Sequence, residues 1–451
     1  MMAHAFLQGL CERLERMSLS LPDPRARHRV TRAGLGLLCG EAPKTITSAL
    51  EWNGARGDWS AEYRLFSKTR WNSEDLFQPI LAEAVARTDS GPIYAAIDDT
   101  LVRKTGRNIP GTSYARDPLS PPFRINLVLG QRFLQTSVMA RAGKDRPWRS
   151  IPVAFRHAPP LKAPPRATPA EKEAVRKARK RWNISAMARE ELHRLRAQLD
   201  ALPDGRNRVL LMTGDGSFAN RSFLTDIPKG VTLVVRMRKN ARLRKPLPND
   251  QRVGNRKYGA PLPTPDEMLR SRRIRKRTLS VTVSGRRRTL KYKVVRNVCW
   301  PHTTKDRKAT MILIHPLRYR LRAGGKLLYK QPAYLYVIGE PVKIIDAIIA
   351  YLLRWGIEVN FRDEKTILGV GNAQVWNPQS VARAPAFLVA CYAALLLTSM
   401  AILNDERTDV FDPLPPWRKD KVRHPSTRDL IRLLRKQILQ ARKTEQADRI
   451  S

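Results

Sequence analysis

The spacing of apolar residues changes along this chain near Pro92. Before that point apolar positions recur every three or four residues and predict helices over 5–17, 25–39, 44–52, 60–70 and 73–87. Asn53-Gly54 separates the third from the fourth, and Ser73 ahead of Glu74 and Asp75 marks a helix start. Beyond Pro92, short apolar runs predict strands at 93–97, 124–129, 135–140 and 151–155. Pro152 lacks a ladder donor and makes the last an edge strand. A proline-rich connector at 157–169 leads into helical sequence to Leu202, with Leu192, Leu195 and Leu199 as its apolar stripe. Strands at 208–213 and 231–235 follow.

Strands alternating with helices argue an α/β fold. Residues 239–330 interrupt the alternation with period-two runs at 278–283 and 289–298, a hairpin turn at Ser284-Gly285, and a strand at 311–314. The core resumes at 334–338. One long helix is expected from near Pro341 through Lys365, with Ile344, Ile345, Ile348, Ile349 and Leu352 on its apolar face. The uncharged run 384–403 is long enough to span a membrane, but its Pro385, Tyr392, Thr398, Ser399 and alanines favour a buried core helix. A basic amphipathic helix is expected over 427–443. Five segments result: 1–88, helical; 89–238 and 332–404, an α/β core in two parts; 239–331, a basic β-rich insertion; and 405–451, a basic tail.

Charge points to the partner. Lys and Arg number 84 against 40 Asp and Glu, a net +44. Residues 236–330 hold 29 basic and 4 acidic residues, 29 − 4 = +25. Such an excess favours a polyanion, nucleic acid first. Apolar content, 42%, excludes a disordered tail protein. Cys11, Cys39, Cys299 and Cys391 form no CxxC pair, which suits free thiols in a reducing compartment and suggests no thiolate zinc site. The first residues, MMAHAFLQGLCERLERM, lack a signal-peptide pattern. Arg25, Arg27, Arg29 and Arg32 make the second helix basic, so 1–88 is either a helix-turn-helix DNA-binding domain or a dimerisation domain.

On the expected long helix, Tyr351, Arg354, Glu358 and Lys365 are spaced by three, four and seven. At about 100° per residue they share an arc of roughly 60°, with Glu364 nearly opposite. A solvated face of ordinary ion pairs is the simpler reading of such spacing. Two upstream acids sit where strands should end. Asp215 lies between Gly214 and Gly216, and alone would read as a turn. Asp98 and Asp99 follow the first strand, and alternation lets only one face a given site. Carboxylates are the hard oxygen ligands that Mg²⁺ prefers.

The spacing Tyr-x2-Arg-x3-Glu-x6-Lys, with Trp355, Ile357 and Phe361 also matching, resembles the YREK signature of the DDE transposases of bacterial insertion sequences. The resemblance covers roughly 93–403. It implies an RNase H-like catalytic core with a β-rich insertion. It favours Asp99 over Asp98, because the family's first Asp is often followed by Thr. It implies a metal-binding triad of Asp99, Asp215 and Glu358 holding Mg²⁺ or Mn²⁺, two ions, and DNA-phosphate contacts from Tyr351, Arg354 and Lys365. Trp300, alone in the insertion, stands where some members stack a flipped base, although packing at a strand end is the plainer role. The implied function is metal-dependent cleavage of element ends and strand transfer into target DNA. The partners implied are double-stranded DNA and a second copy of the chain, with no membrane, in the cytoplasm on the bacterial nucleoid. A domesticated endonuclease without transposition and a non-catalytic DNA-binding protein are the alternatives.

Overall fold

The computed structural model describes the chain apart from residues 1–3, 55–58, 118–119, 122, 165, 249–250, 252–256, 284–285, 321–323, 417–423 and 451. The first helices are α1 (Ala5–Ser18), α2 (Pro24–Cys39), α3 (Ile46–Trp52), α4 (Ser60–Ser67) and α5 (Gln78–Ala86). Their starts are written locally. Asp23 accepts the Arg25 amide at 2.9 Å, with Pro24 at the first helical position, and Thr45 and Ser48 form a capping box. Then come β1 (Ile93–Arg103), β2 (Ser113–Arg116), β3 (Leu127–Ala140) and β4 (Arg149–His157). Helices α6 (Pro169–Arg181) and α7 (Ile184–Ala201) precede β5 (Leu210–Gly214), α8 (Arg221–Leu224) and β6 (Val231–Arg236). The basic stretch contributes β7 (Arg244–Pro246), β8 (Tyr258–Pro261), α9 (Pro265–Arg270), β9 (Arg277–Val283), β10 (Arg286–Val298), α10 (Pro301–Thr304), β11 (Ala309–Ile314), β12 (Arg318–Tyr319) and β13 (Leu328–Tyr329). Last are β14 (Ala333–Gly339), α11 (Ile344–Leu353), α12 (Trp355–Thr366), α13 (Pro378–Ile402) and α14 (Thr427–Ile450).

The chain forms two compact units. Unit 1 takes residues 1–89, 99–180 and 356–451, and unit 2 takes 90–98 and 181–355. In unit 1 the apolar α13 is buried along its length, against α1, α2, α4, α5 and β4. α1 meets it with Phe6, Leu10, Leu14 and Met17, all buried and all on one stripe. α13 is long and apolar enough to cross a membrane, yet it forms a core here. β3 pairs antiparallel with β2 and β4.

In unit 2 the first half of β1 pairs parallel with β5, and β5 pairs parallel with β6. β14 pairs antiparallel with β6, and β11, β10 and β9 continue outward as an antiparallel meander. The basic strands therefore extend this sheet. Val283 pairs with Arg286 across the expected hairpin, whose turn at Ser284-Gly285 lies outside the described residues. α11 packs on β5 and β6.

Four expectations need correction. β1 does not stop at Ile97. Thr100 and Val102 are buried while Asp99 is half-buried, so alternation carries the strand to Arg103. The two strands expected at 124–129 and 135–140 are one, β3. Gly130 and a run of buried polar residues, Gln131, Gln135, Thr136 and Ser137, disguise it. Gly130 is there for close approach, since a Cβ would stand 2.6 Å from the Val102 carbonyl. The helix expected from 169 to 202 is two helices, because Asn183 caps a fresh start by accepting the amides of Ser185 and Ala186. The long helix from Pro341 is divided at Arg354 into α11 and α12. Gly356 follows the break, and Gly lowers helix propensity by about 1 kcal/mol.

Candidate active site

Asp99 lies inside β1 rather than after it. Its Oδ2 accepts from the Arg132 Nε of β3 at 2.6 Å. Sequence reading missed Arg132 because it broke β3 at Gly130. On the same unit, Arg103 pairs with Asp117 at 2.9 Å. Lys365, near the end of α12, has Glu364, Asp99 and Asp117 as its opposite charges and Arg103 as a like one. The residue as a whole is exposed, but desolvation at the amine, the largest cause, holds it below the usual lysine range. Its ammonium also stands 5.8 Å from the centre of the Phe361 ring.

Glu358 is half-buried in the first turn of α12. The docking of that helix is set by its neighbours. Asn360 donates to the Ser150 carbonyl at 3.0 Å and to its Oγ at 3.1 Å. A Cβ at Gly356 would come within 2.7 Å of the Ser150 Cβ. Glycine here lets α12 lie directly on β4 and fixes the turn that carries Glu358.

The residues beside Lys365 differ from a solvated ion-paired face. Asp363 accepts from Arg362 at 2.9 Å and from Thr427 at 2.7 Å, and is buried. Glu364 is buried completely, which pushes its carboxyl up to about 8; the Gln135 hydrogen bond opposes that shift. At pH 7 it is therefore mostly protonated, which weakens its pull on Lys365 and leaves Asp99 and Asp117 as the main opposite charges.

In unit 2, Asp215 follows β5 directly. Its Oδ1 accepts from the Ser217 amide at 2.7 Å and hydroxyl at 2.5 Å, an Asx turn that fixes the carboxylate at the strand end. Arg354 pairs with Asp98 at 3.2 Å, each side chain 16% exposed. That contact was invisible in the sequence, where the two lie 256 positions apart. Tyr351 is half-buried on α11. Trp300 packs edge-on against Tyr336 of β14, ring centres 5.6 Å apart, and precedes α10.

Tyr351 lies on α11, Arg354 at its end, and Glu358 and Lys365 on α12. Tyr351 and Arg354 belong to unit 2 with Asp215 and Trp300, while Glu358 and Lys365 belong to unit 1 with Asp99. The carboxylates Asp99, Asp215 and Glu358 are the hard donors that suit a divalent ion. Among the described residues, no three His, Cys, Asp or Glu gather in a metal-holding cluster.

Residues 18–307 match a family described as DDE superfamily endonuclease. The match covers well over half of the 451 residues. It includes Asp98, Asp99, Asp215 and Trp300 and ends before Tyr351. No curated protein matches the chain.

Proposed function

This chain belongs to the DDE superfamily endonuclease family, and on that premise we propose that it is the DNA transposase of an insertion sequence. Membership makes DNA the substrate class and divalent-metal chemistry the general rule of the superfamily. The finer reading is that it cuts the ends of a mobile element and joins their 3′ hydroxyls to target DNA, as a homodimer on the bacterial nucleoid. The observation that carries it is the family match over Asp99 and Asp215, followed downstream by the Tyr351, Arg354, Glu358 and Lys365 spacing that the match does not reach.

Asp99, Asp215 and Glu358 are the proposed ligands of Mg²⁺ or Mn²⁺, two ions. Bound there, the metal supplies neutralisation of phosphate charge and a water of lowered pKa. The chain's own contribution is positioning. β1 and Arg132 hold Asp99, Ser217 holds Asp215, and the close seat of α12 on β4 holds Glu358. Lys365, with a mostly protonated Glu364 beside it, is directed toward anions, and Arg354 has the planar fork that grips phosphate. The RNase H-like reading is supported by parallel pairing of β1, β5 and β6 in one unit and by antiparallel pairing of β3 and β4 in the other. The basic stretch 239–331 is the proposed DNA surface outside the core, and residues 1–88 the proposed end-binding or dimerisation segment.

A nuclease that cuts without joining is the second reading, favoured by a family description that names cleavage alone. A joining assay separates the two. Purified chain, element-end duplex, Mg²⁺ and a target plasmid should yield covalent end-to-target products. Cut ends without any joined product would decide for the nuclease.

A further inference from the structure

In unit 2 a cavity of about 660 Å³ opens between the end of α9 and the strands β10 and β11. Lys293 of β10 lies in its wall, 5% exposed. Its ammonium donates to the carbonyls of Leu269 at 2.5 Å and Ser271 at 2.7 Å, which the end of α9 leaves without helical partners. An ammonium has three donors, so two carbonyls leave one. His315, directly after β11, also lines the cavity, and its Nε2 is buried with no hydrogen-bond partner. Burial first, then the nearby Lys293, Lys276 and Lys291, hold the ring below its ordinary pKa, so it is neutral at pH 7. In the tautomer with the proton on Nε2 it offers an N–H.

The mouth adds Arg272, Arg275 and Lys276, all exposed. Asp266 is the one carboxylate among the described lining residues. It is already engaged by the Tyr334 hydroxyl at 2.8 Å and by Arg270. The remaining ammonium N–H of Lys293 and the His315 Nε2, behind a fence of guanidinium groups, call for a group that is acceptor-only, negatively charged and several-oxygened. Phosphate has that chemistry.

We propose that this cavity is a phosphate-binding site and that it takes a backbone phosphate of DNA. The choice of DNA rests on the function proposed above. It is favoured by the surface at the mouth, where residues 272–277 read RRIRKR, a track of cations that continues past the cavity as a polymer of phosphates requires. A free nucleoside triphosphate shares the chemistry and would need only the cavity.

The test uses the full chain and two probes, a short DNA duplex followed by fluorescence anisotropy over a salt series, and ATP followed by equilibrium dialysis. His315→Phe keeps the ring volume and the charge but removes Nε2, with His315→Gln as a second variant and melting curves to confirm folding. It should weaken duplex binding severalfold with the salt slope unchanged. Arg275→Ala should lower the log–log slope by about 0.9, the share of one neutralised phosphate. Variants that bind the duplex like wild type but lose ATP binding would overturn the DNA assignment and give the site to a free nucleotide. Variants that bind both probes like wild type would overturn the site. In either case cleavage that still depends on Asp99 would leave the proposed function standing, whereas a wild-type chain that neither binds nor cuts DNA would remove both.

Discussion

Replacing Glu364 with Gln should stabilise the protein relative to the wild type increasingly as pH rises. The side chain is 1% exposed, and its Oε1 has no hydrogen-bond partner. Burial lifts its carboxyl from an ordinary 4.5 to about 8. Between those values the folded chain holds a proton that the unfolded chain has released. The group's contribution to stability is thus complete below 4.5, falls by about 1.4 kcal/mol per pH unit above it, and is gone beyond about 8. Glutamine keeps the shape and does not titrate. From pH 5 to pH 8 the variant should gain on the wild type by about 4 kcal/mol, an upper bound because other groups relax. Urea unfolding of both proteins at pH 5, 6.5 and 8 reads that difference directly, since every other titrating group cancels. Parallel pH profiles would refute a mostly protonated Glu364, and with it the inference that Asp99 and Asp117 are the main opposite charges at Lys365.

Gly356→Ala should cost about 1–3 kcal/mol, because its Cβ would press on Ser150 at 2.7 Å; thermal unfolding checks it. Arg354→Ala should lose about 1–3 kcal/mol through its pair with Asp98. Lys365→Ala should keep its melting temperature and lose cleavage of element ends; undiminished cleavage in both variants would take these residues off the DNA. Neutralising exposed cations across 236–330 should flatten the salt dependence of duplex binding by about 0.9 for each phosphate the chain no longer neutralises, and an unchanged slope would place the DNA surface elsewhere.

Local signals carried the helices and the short buried strands. α1 to α5 were legible from their apolar stripes, and at α2 and α3 side-chain caps agree with them, at Asp23-Pro24 and Thr45. β5, β6, β11 and β14 were legible as apolar runs bounded by turn residues. What failed was long-range. β3 hid behind Gly130 and four buried polar residues, of which Gln131 donates to the Pro110 carbonyl and Ser137 accepts from Asn360, contacts that periodicity does not report. The helix break at Arg354 hid because the sequence from Ile344 to Lys365 keeps one helical pattern across it. At the site, residue types and spacing pointed to Asp99, Asp215, Glu358, Arg354 and Lys365. The side chains that hold them, Arg132, Asp98 and Ser217, belong to tertiary contacts or turn geometry that periodicity does not report.

The central claim is cleavage of DNA by carboxylates acting through a divalent metal, and one assay reaches it. A linear duplex carrying an element end is incubated with the purified chain in EDTA, Mg²⁺ or Mn²⁺, beside Asp99→Ala, Asp215→Ala and Glu358→Ala, with duplex binding measured on the same samples. The wild type should cut only with metal, and the three variants should not cut while still binding the duplex. Cutting in EDTA, or wild-type cutting by any one of the three, would contradict it.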